Sequence, residues 1–216
     1  MDRAGLLQKL ARSGEFDARV LRAIGSVDRT LFLPPERASQ AWEDCALPIG
    51  YGQTVSQPLI VAMMSQALSL EGWERVLEVG TGAGYQTAVL SQLCGEVASV
   101  ELIPELAASA RERLEQLGVE NVQLRCGDGW QGWPELAPFD AMIVTAAPAT
   151  IPVPLLEQLG QAGRLVIPVG PESGDQRLQR ICRVGSSDRF ETRDLGAVRF
   201  VPLVDPLAAD RYDQRR

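Results

Sequence analysis

A chain of 216 residues with 45% hydrophobic content can bury a full core in one globular unit. Its formal net charge of −7 argues against a polyanion as main partner, because nucleic-acid binders display a net basic surface, and leaves room only for local basic patches. The absence of histidine excludes Ser-His-Asp and Cys-His mechanisms and removes the commonest metal ligand.

The N-terminus, MDRAGLLQKLARSGEFD, has no apolar run of signal-peptide length, and no segment approaches the roughly 20 apolar residues of a membrane span. Cys45, Cys94, Cys126 and Cys182 form no CxxC pair, so neither a zinc site nor a disulfide framework is expected. The expectations are a cytoplasmic protein with no metal site, acting as a monomer with neither nucleic acid nor membrane as partner.

In chain order, amphipathic helices are expected over 4–12 and 17–27, after which Pro34 and Pro35 interrupt regular structure. Residues 46–58, ALPIGYGQTVSQP, read as a loop, and 59–70 as a helix. Five apolar runs then read as strands: 75–79, 97–101, 121–126, 139–145 and 164–169. Helical stretches near 84–94, 104–117 and 152–159 separate them.

This alternation implies an α/β fold with a doubly wound, mostly parallel sheet covered on both faces. In the helix over 104–117, Pro104 fits the first position and Leu106, Ala110, Leu114 and Leu117 share a face, with Gly118 as the stop. Segments 177–184 and 190–203, joined through GSSD at 185–188, read as a β-hairpin closing one edge. The tail LAADRYDQRR is expected to fray. The chain divides into an N-terminal helical cap and loop (1–58), an alternating core (59–170) and a C-terminal hairpin and tail (171–216).

The first strand, RVLEV, runs into a turn carrying Gly80, Gly82 and Gly84. In a doubly wound sheet such a turn faces the ligand crevice, and glycine lets the backbone come close to the ligand. The spacing is G-x-G-x-G; a dinucleotide fingerprint would need glycine at 85, where Tyr85 stands. Glu78 would suit the ammonium of a methionine moiety and would sit poorly beside a pyrophosphate, which favours S-adenosyl-L-methionine over NAD. Glu101, ending the next strand, is placed for two ribose hydroxyls, and Asp128 for an adenine amino group. Thr81, Leu102 and Gly127 are counted with them as cofactor-binding. Taken singly, each has a plainer reading: a tight βα turn, a strand-end charge, and an Asp turn.

Several blocks resemble the protein-L-isoaspartate O-methyltransferases: ALPIGYGQTVSQP at 46–58, VLEVGTGAGYQTAVLS at 76–91, GDGWQGW at 127–133, FDAMIVTAAP at 139–148 and VRFVPL at 198–203. The similarity spans nearly the whole chain. It implies a Rossmann-like class I methyltransferase that esterifies the α-carboxylate of isoaspartyl residues in damaged proteins and peptides. The ester would then close to a succinimide and hydrolyse partly to normal aspartate. The resemblance also implies that Ser56 is the catalytic serine, that Gln53, Thr54 and Val55 line the junction of substrate and cofactor, and that Val201 contacts the isoaspartyl backbone. Some members carry a histidine shortly after the serine, where this chain reads SQPLIV.

Ser56 has a second reading, as the cap of the helix that follows. Trp130 and Trp133 read as packing or stacking residues, Met63 and Met64 as helix core, and Arg199 as a partner for a substrate carboxylate or a solvated strand arginine. The other functions weighed are a methyltransferase for a small carboxylic acid or tRNA, and a non-catalytic module that binds isoaspartyl chain ends.

Overall fold

The computed structural model describes residues 1–187 and 189–204; the tail expected to fray and Asp188 of the GSSD turn lie outside the described residues. Helices α1 (Arg3–Ser13) and α2 (Ala18–Ser26) begin after Asp2 and Asp17, whose carboxylates accept the otherwise unpaired N–H groups of Gly5 and Arg19. A 3-10 turn over Arg29–Phe32 starts on Asp28 in the same way, and a second occupies Pro35–Gln40. Leu6, Leu10, Val20 and Ile24 are buried in one cluster with Tyr85, Ala88 and Ala110, so both helices pack on the rest of the fold.

The segment 46–58 is not the plain loop expected. It contains an antiparallel ribbon of β1 (Leu47–Gly50) and β2 (Gln53–Val55). Gly50, Tyr51 and Gly52 all take positive φ, so the glycines make the reversal as well as flanking it. Among the described residues the ribbon has no third strand, and Pro48 is tolerated at such an edge. Helix α3 (Pro58–Leu68) follows, with Pro58 at its first turn.

The main sheet has the order β5-β4-β3-β6-β7-β8-β9. Strands β3 (Arg75–Val79), β4 (Glu96–Glu101), β5 (Val122–Cys126), β6 (Phe139–Val144) and β7 (Leu159–Val169) run parallel, while β8 (Gln176–Arg183) and β9 (Phe190–Val198) are antiparallel. Alternation sends Val76, Ala141 and Ile143 to one face, against Met64 and Leu68 of α3 and Leu90 of α4 (Tyr85–Ser91). Leu77, Met142 and Val144 go to the other, with Leu155 of α6 (Val153–Gln158). Each of these Val, Leu, Ile and Met side chains, taken fully out of water, stabilises the fold by about 1.5–3 kcal/mol.

Most boundaries differ from expectation by one to three residues, α4 ending at Ser91 where 94 is expected, and β7 and β9 differ by five. The helix expected over 104–117 is α5 (Pro104–Gln116); Leu117 caps it, 38% exposed, and Gly118 turns away at φ 65°. β7 begins five residues earlier than 164. β9 stops at Val198, and 199–203 runs on with a single bridge from Pro202 to Ala147. Because β3 lies between β4 and β6, the chain leaves it in opposite directions across the sheet. This is the switch point where a crevice opens beyond the carboxyl ends of the strands.

Candidate active site

Gly80 leaves β3 at φ 95°, and a Cβ there would run into the Thr145 hydroxyl. That hydroxyl donates to Gly80 O at 2.6 Å, with Val79 O at 3.1 Å as its second acceptor within reach, while Gly80 N–H donates to Val100 O at 2.8 Å. The turn is thus pinned to both neighbouring strands.

Over it lies a cleft of about 850 Å³, part of it open to solvent, whose floor includes Gly80, Thr81 and Gly82. Glu101, Leu102 and Ile103 form one side, and Gln53, Thr54, Val55, Ser56 and Val201 another. The buried Glu101 carboxylate accepts Gly82 N–H at 2.7 Å and Ile103 N–H at 3.0 Å. Burial holds its pKa above the usual carboxylate range, partly offset by those backbone donors. Each carboxylate oxygen still has a lone pair to accept a further donor from the cleft.

A second cavity of about 860 Å³, likewise partly open to solvent, adjoins the first and is lined by Ala46, Gln57, Ile60, Arg199 and Phe200, among others. Thr54, Ser56, Thr145 and Val201 line both. Ser56 does not cap α3. The helix receives its cap from Asp44, which accepts Leu59 N–H at 2.9 Å, and no hydrogen bond of the Ser56 hydroxyl occurs among the described residues.

Four expected cofactor residues lie off the cleft wall. Gly84 caps α4 and packs near Ala110 and Phe32; Gly127 N–H donates to Glu101 O; and Asp128 caps a 3-10 turn through Trp130 N–H. Glu78 departs furthest from expectation. It is fully buried on the face toward α4, where Oε2 accepts Thr87 and Ser99 hydroxyls and Oε1 finds no partner among the described residues. Ser99 also bonds the Thr81 hydroxyl at 2.6 Å, so Glu78 reaches the glycine turn only through other side chains.

Burial, opposed by the Ser99 and Thr87 hydroxyls and reinforced by the Glu101 charge, pushes the Glu78 carboxyl from 4.5 up to about 7. The folded state then keeps a proton that the unfolded chain has released. Its contribution to stability is complete below the unfolded value of 4.5 and is lost as pH rises through about 7. Between about pH 5 and pH 8 the wild type is expected to lose up to about 3 kcal/mol more than Glu78→Gln. Urea unfolding of both proteins at each pH measures the difference, and parallel losses would show that Glu78 titrates normally.

Two further residues serve the site without a local signature. Arg29, fully buried, donates to the carbonyls of Ala41, Glu43, Cys45 and Ser56 at 2.8, 3.1, 2.9 and 3.0 Å. Burial lowers its pKa. Thr145, at the end of β6, ties the glycine turn and faces both cavities; a hydroxyl ending a central strand beside the switch point is the one signal that could have found it. Trp133 packs under Arg125, whose guanidinium lies 4.6 Å from the ring centroid, and Met64 is core.

The chain matches the protein-L-isoaspartate (D-aspartate) O-methyltransferase family over residues 1–208. It belongs to that family. The enzyme is 54% identical to a protein-L-isoaspartate O-methyltransferase of Myxococcus xanthus over 94% of this chain and 97% of the relative. It is likewise 54% identical to one of Klebsiella pneumoniae, over 92% and 94%. A solved protein-L-isoaspartate O-methyltransferase, 29% identical, superposes with a TM-score of 0.86 over 95% of this chain and 67% of its own. A Plasmodium falciparum protein solved with S-adenosyl-L-homocysteine shares the fold, with a TM-score of 0.81 and 24% identity over 94% and 99%.

The methyl donor of this family is S-adenosyl-L-methionine, and the first cleft fits it. Gly80 and Gly82 present bare backbone, Glu101 has acceptor capacity for ribose hydroxyls, and Leu102 and Ile103 offer an apolar wall.

Proposed function

We propose that the glycine-turn cleft holds S-adenosyl-L-methionine, that the adjoining cavity holds the isoaspartyl residue, and that Ser56 positions the acceptor carboxylate where the two meet. The observation that carries this is the shared wall of Thr54, Ser56, Thr145 and Val201. The reaction is methyl esterification of the isoaspartyl α-carboxylate, which opens the way to a succinimide. When bound, the cofactor supplies a methyl group on a sulfonium.

The acceptor, with an ordinary pKa of about 4, is already ionised at neutral pH and needs no general base, so a chain without histidine lacks nothing. With the cofactor held there, a carboxylate oxygen would take the methyl group as its bond to sulfur broke, and no residue of the chain would have a proton to move. The protein's task is alignment, which can supply several kcal/mol. Ser56 donates one hydrogen bond to the carboxylate, with Val55 and Gln53 on the cofactor side and Val201 against the peptide backbone.

The chain acts in this reading as one unit and a monomer, on isoaspartyl proteins and peptides, in a reducing cytoplasm that suits its free cysteines. No described helix is long and apolar enough to cross a membrane. Labelled S-adenosyl-L-methionine offered with matched isoaspartyl and aspartyl peptides tests the activity: label should enter the isoaspartyl peptide alone, and equal or absent labelling would overturn it.

Ser56→Ala should leave cofactor affinity within about two-fold and lower kcat/KM by about 10–100-fold, the worth of one hydrogen bond to a charged group. Calorimetry beside steady-state kinetics separates the two. A loss confined to cofactor binding would place Ser56 in the cofactor wall instead.

A further inference from the structure

Residues 199–201 line the second cavity, 201–203 line the first, and the segment is held at two points. The buried Gln176 side chain accepts Phe200 N–H at 2.6 Å and donates to Phe200 O at 3.2 Å. Ala147 N–H donates to Val201 O at 2.8 Å, and Ala147 O accepts Leu203 N–H at 2.9 Å. Val198 and Phe200 pack inward against the cluster that contains Leu178. Alternation along an extended chain puts Arg199 on the other side, exposed, in the wall of the second cavity.

Among the described residues, Arg199 is the one charged residue of that wall. Among the described residues its guanidinium makes no hydrogen bond or ion pair, whereas Arg177 on β8 is paired with Asp194 at 2.7 Å. In a chain of net charge −7, this cation thus finds no partner among the described residues, on a fixed stretch of backbone at the cavity read above as the acceptor site.

We infer that Arg199 is a specificity-determining residue that reads a second carboxylate of the substrate peptide, from an acidic side chain or a free chain terminus near the isoaspartyl residue. The acceptor carboxylate itself is a poorer partner. It must lie at the boundary of the two cavities, where Ser56 and Thr145 stand, and Arg199 lines only the second. A guanidinium paired bidentate with it would also withdraw charge from the nucleophile. The inference rests on the second cavity being the acceptor site.

An exposed pair contributes modestly, so the expected preference is about five-fold in kcat/KM, carried by KM and weakened by salt. The test uses amidated isoaspartyl peptides with Glu, Gln or Lys flanking the isoaspartyl residue, and one neutral peptide with a free C-terminus. These are assayed on wild type, Arg199→Gln and Arg199→Lys. Wild type should prefer the Glu peptide, the free terminus, or both over the neutral amidated peptide, which identifies the source. Arg199→Gln should bring the ratios to about one, and Arg199→Lys should keep part, as a point charge without the planar fork.

Ratios within one variant do not depend on how much of it folds. Activity without preference in wild type, or a preference unchanged in Arg199→Gln, overturns the inference alone. Absence of isoaspartyl methylation in wild type overturns the functional reading beneath it.

Discussion

Arg29→Met is expected to lower the unfolding free energy by about 3–5 kcal/mol, and with it the melting temperature by about 10 °C for a chain of this size. The guanidinium is completely buried and its four acceptors belong to residues 41, 43, 45 and 56, on the path from the N-terminal turns through the β1–β2 ribbon to the serine. Methionine fills much of the volume and answers none of those carbonyls. The loss should exceed that of an apolar truncation, because acceptors left dry cost their full desolvation. Turnover should also fall at temperatures where the variant is folded, since Ser56 loses the bond that fixes its backbone. Arg29→Lys should recover less than half of the stability, having one small charge where a fork of donors is needed. Thermal unfolding decides it: a variant melting within about 2 °C of wild type would show that the four bonds are replaced by water at little cost.

Gly80→Ala is expected to weaken S-adenosyl-L-methionine binding by about 100-fold. Two costs coincide. The backbone at φ 95° is poorly tolerated by any residue with a Cβ, and that Cβ is directed at the Thr145 hydroxyl. Together they amount to about 3 kcal/mol, relieved when the turn moves away from the position that a bound cofactor requires. The movement breaks the Thr145 bond to Gly80 O, which joins the glycine turn to β6. Calorimetric titration of wild type, Gly80→Ala and Gly80→Ala/Thr145→Ala separates the costs: the double variant should recover the steric part and keep the conformational one. A dissociation constant within about three-fold of wild type would show that the turn absorbs a methyl group in place.

The same two residues show where a reading of the sequence reaches and where it stops. Gly80 announces itself, because a left-handed backbone is a demand of one residue and G-x-G-x-G after an apolar run is visible in ten letters. Arg29 does not. Its four partners are spread over sixteen residues that begin twelve positions away, and arginine in the sequence RTLF looks like any solvated cation. Glu78 lies between these cases. Its place at the end of β3 was legible, and its side chain was expected to face the ligand. Facing α4 follows from strand alternation, but the hydroxyls of Thr87 and Ser99 that make the burial tolerable come from neighbours known only once β4 and α4 are docked. The ribbon at 47–55 is not legible in the sequence, because strands of three or four residues beside glycines carry too little periodicity to separate from a loop.

From the sequence alone came the alternation of strands and helices, the parallel sheet, the glycine turn, Glu101 at the end of β4, and, through resemblance, the reaction. Each is written in short windows, by side-chain period or by a residue whose backbone needs are its own. The tertiary structure decided which carboxylate meets the cleft and which is sealed beneath it, which acid caps α3, what holds Ser56, and that two cavities share one wall there. Those are matters of distance between residues far apart in the chain, and burial and hydrogen-bond partners take their values only after the sheet has brought them together.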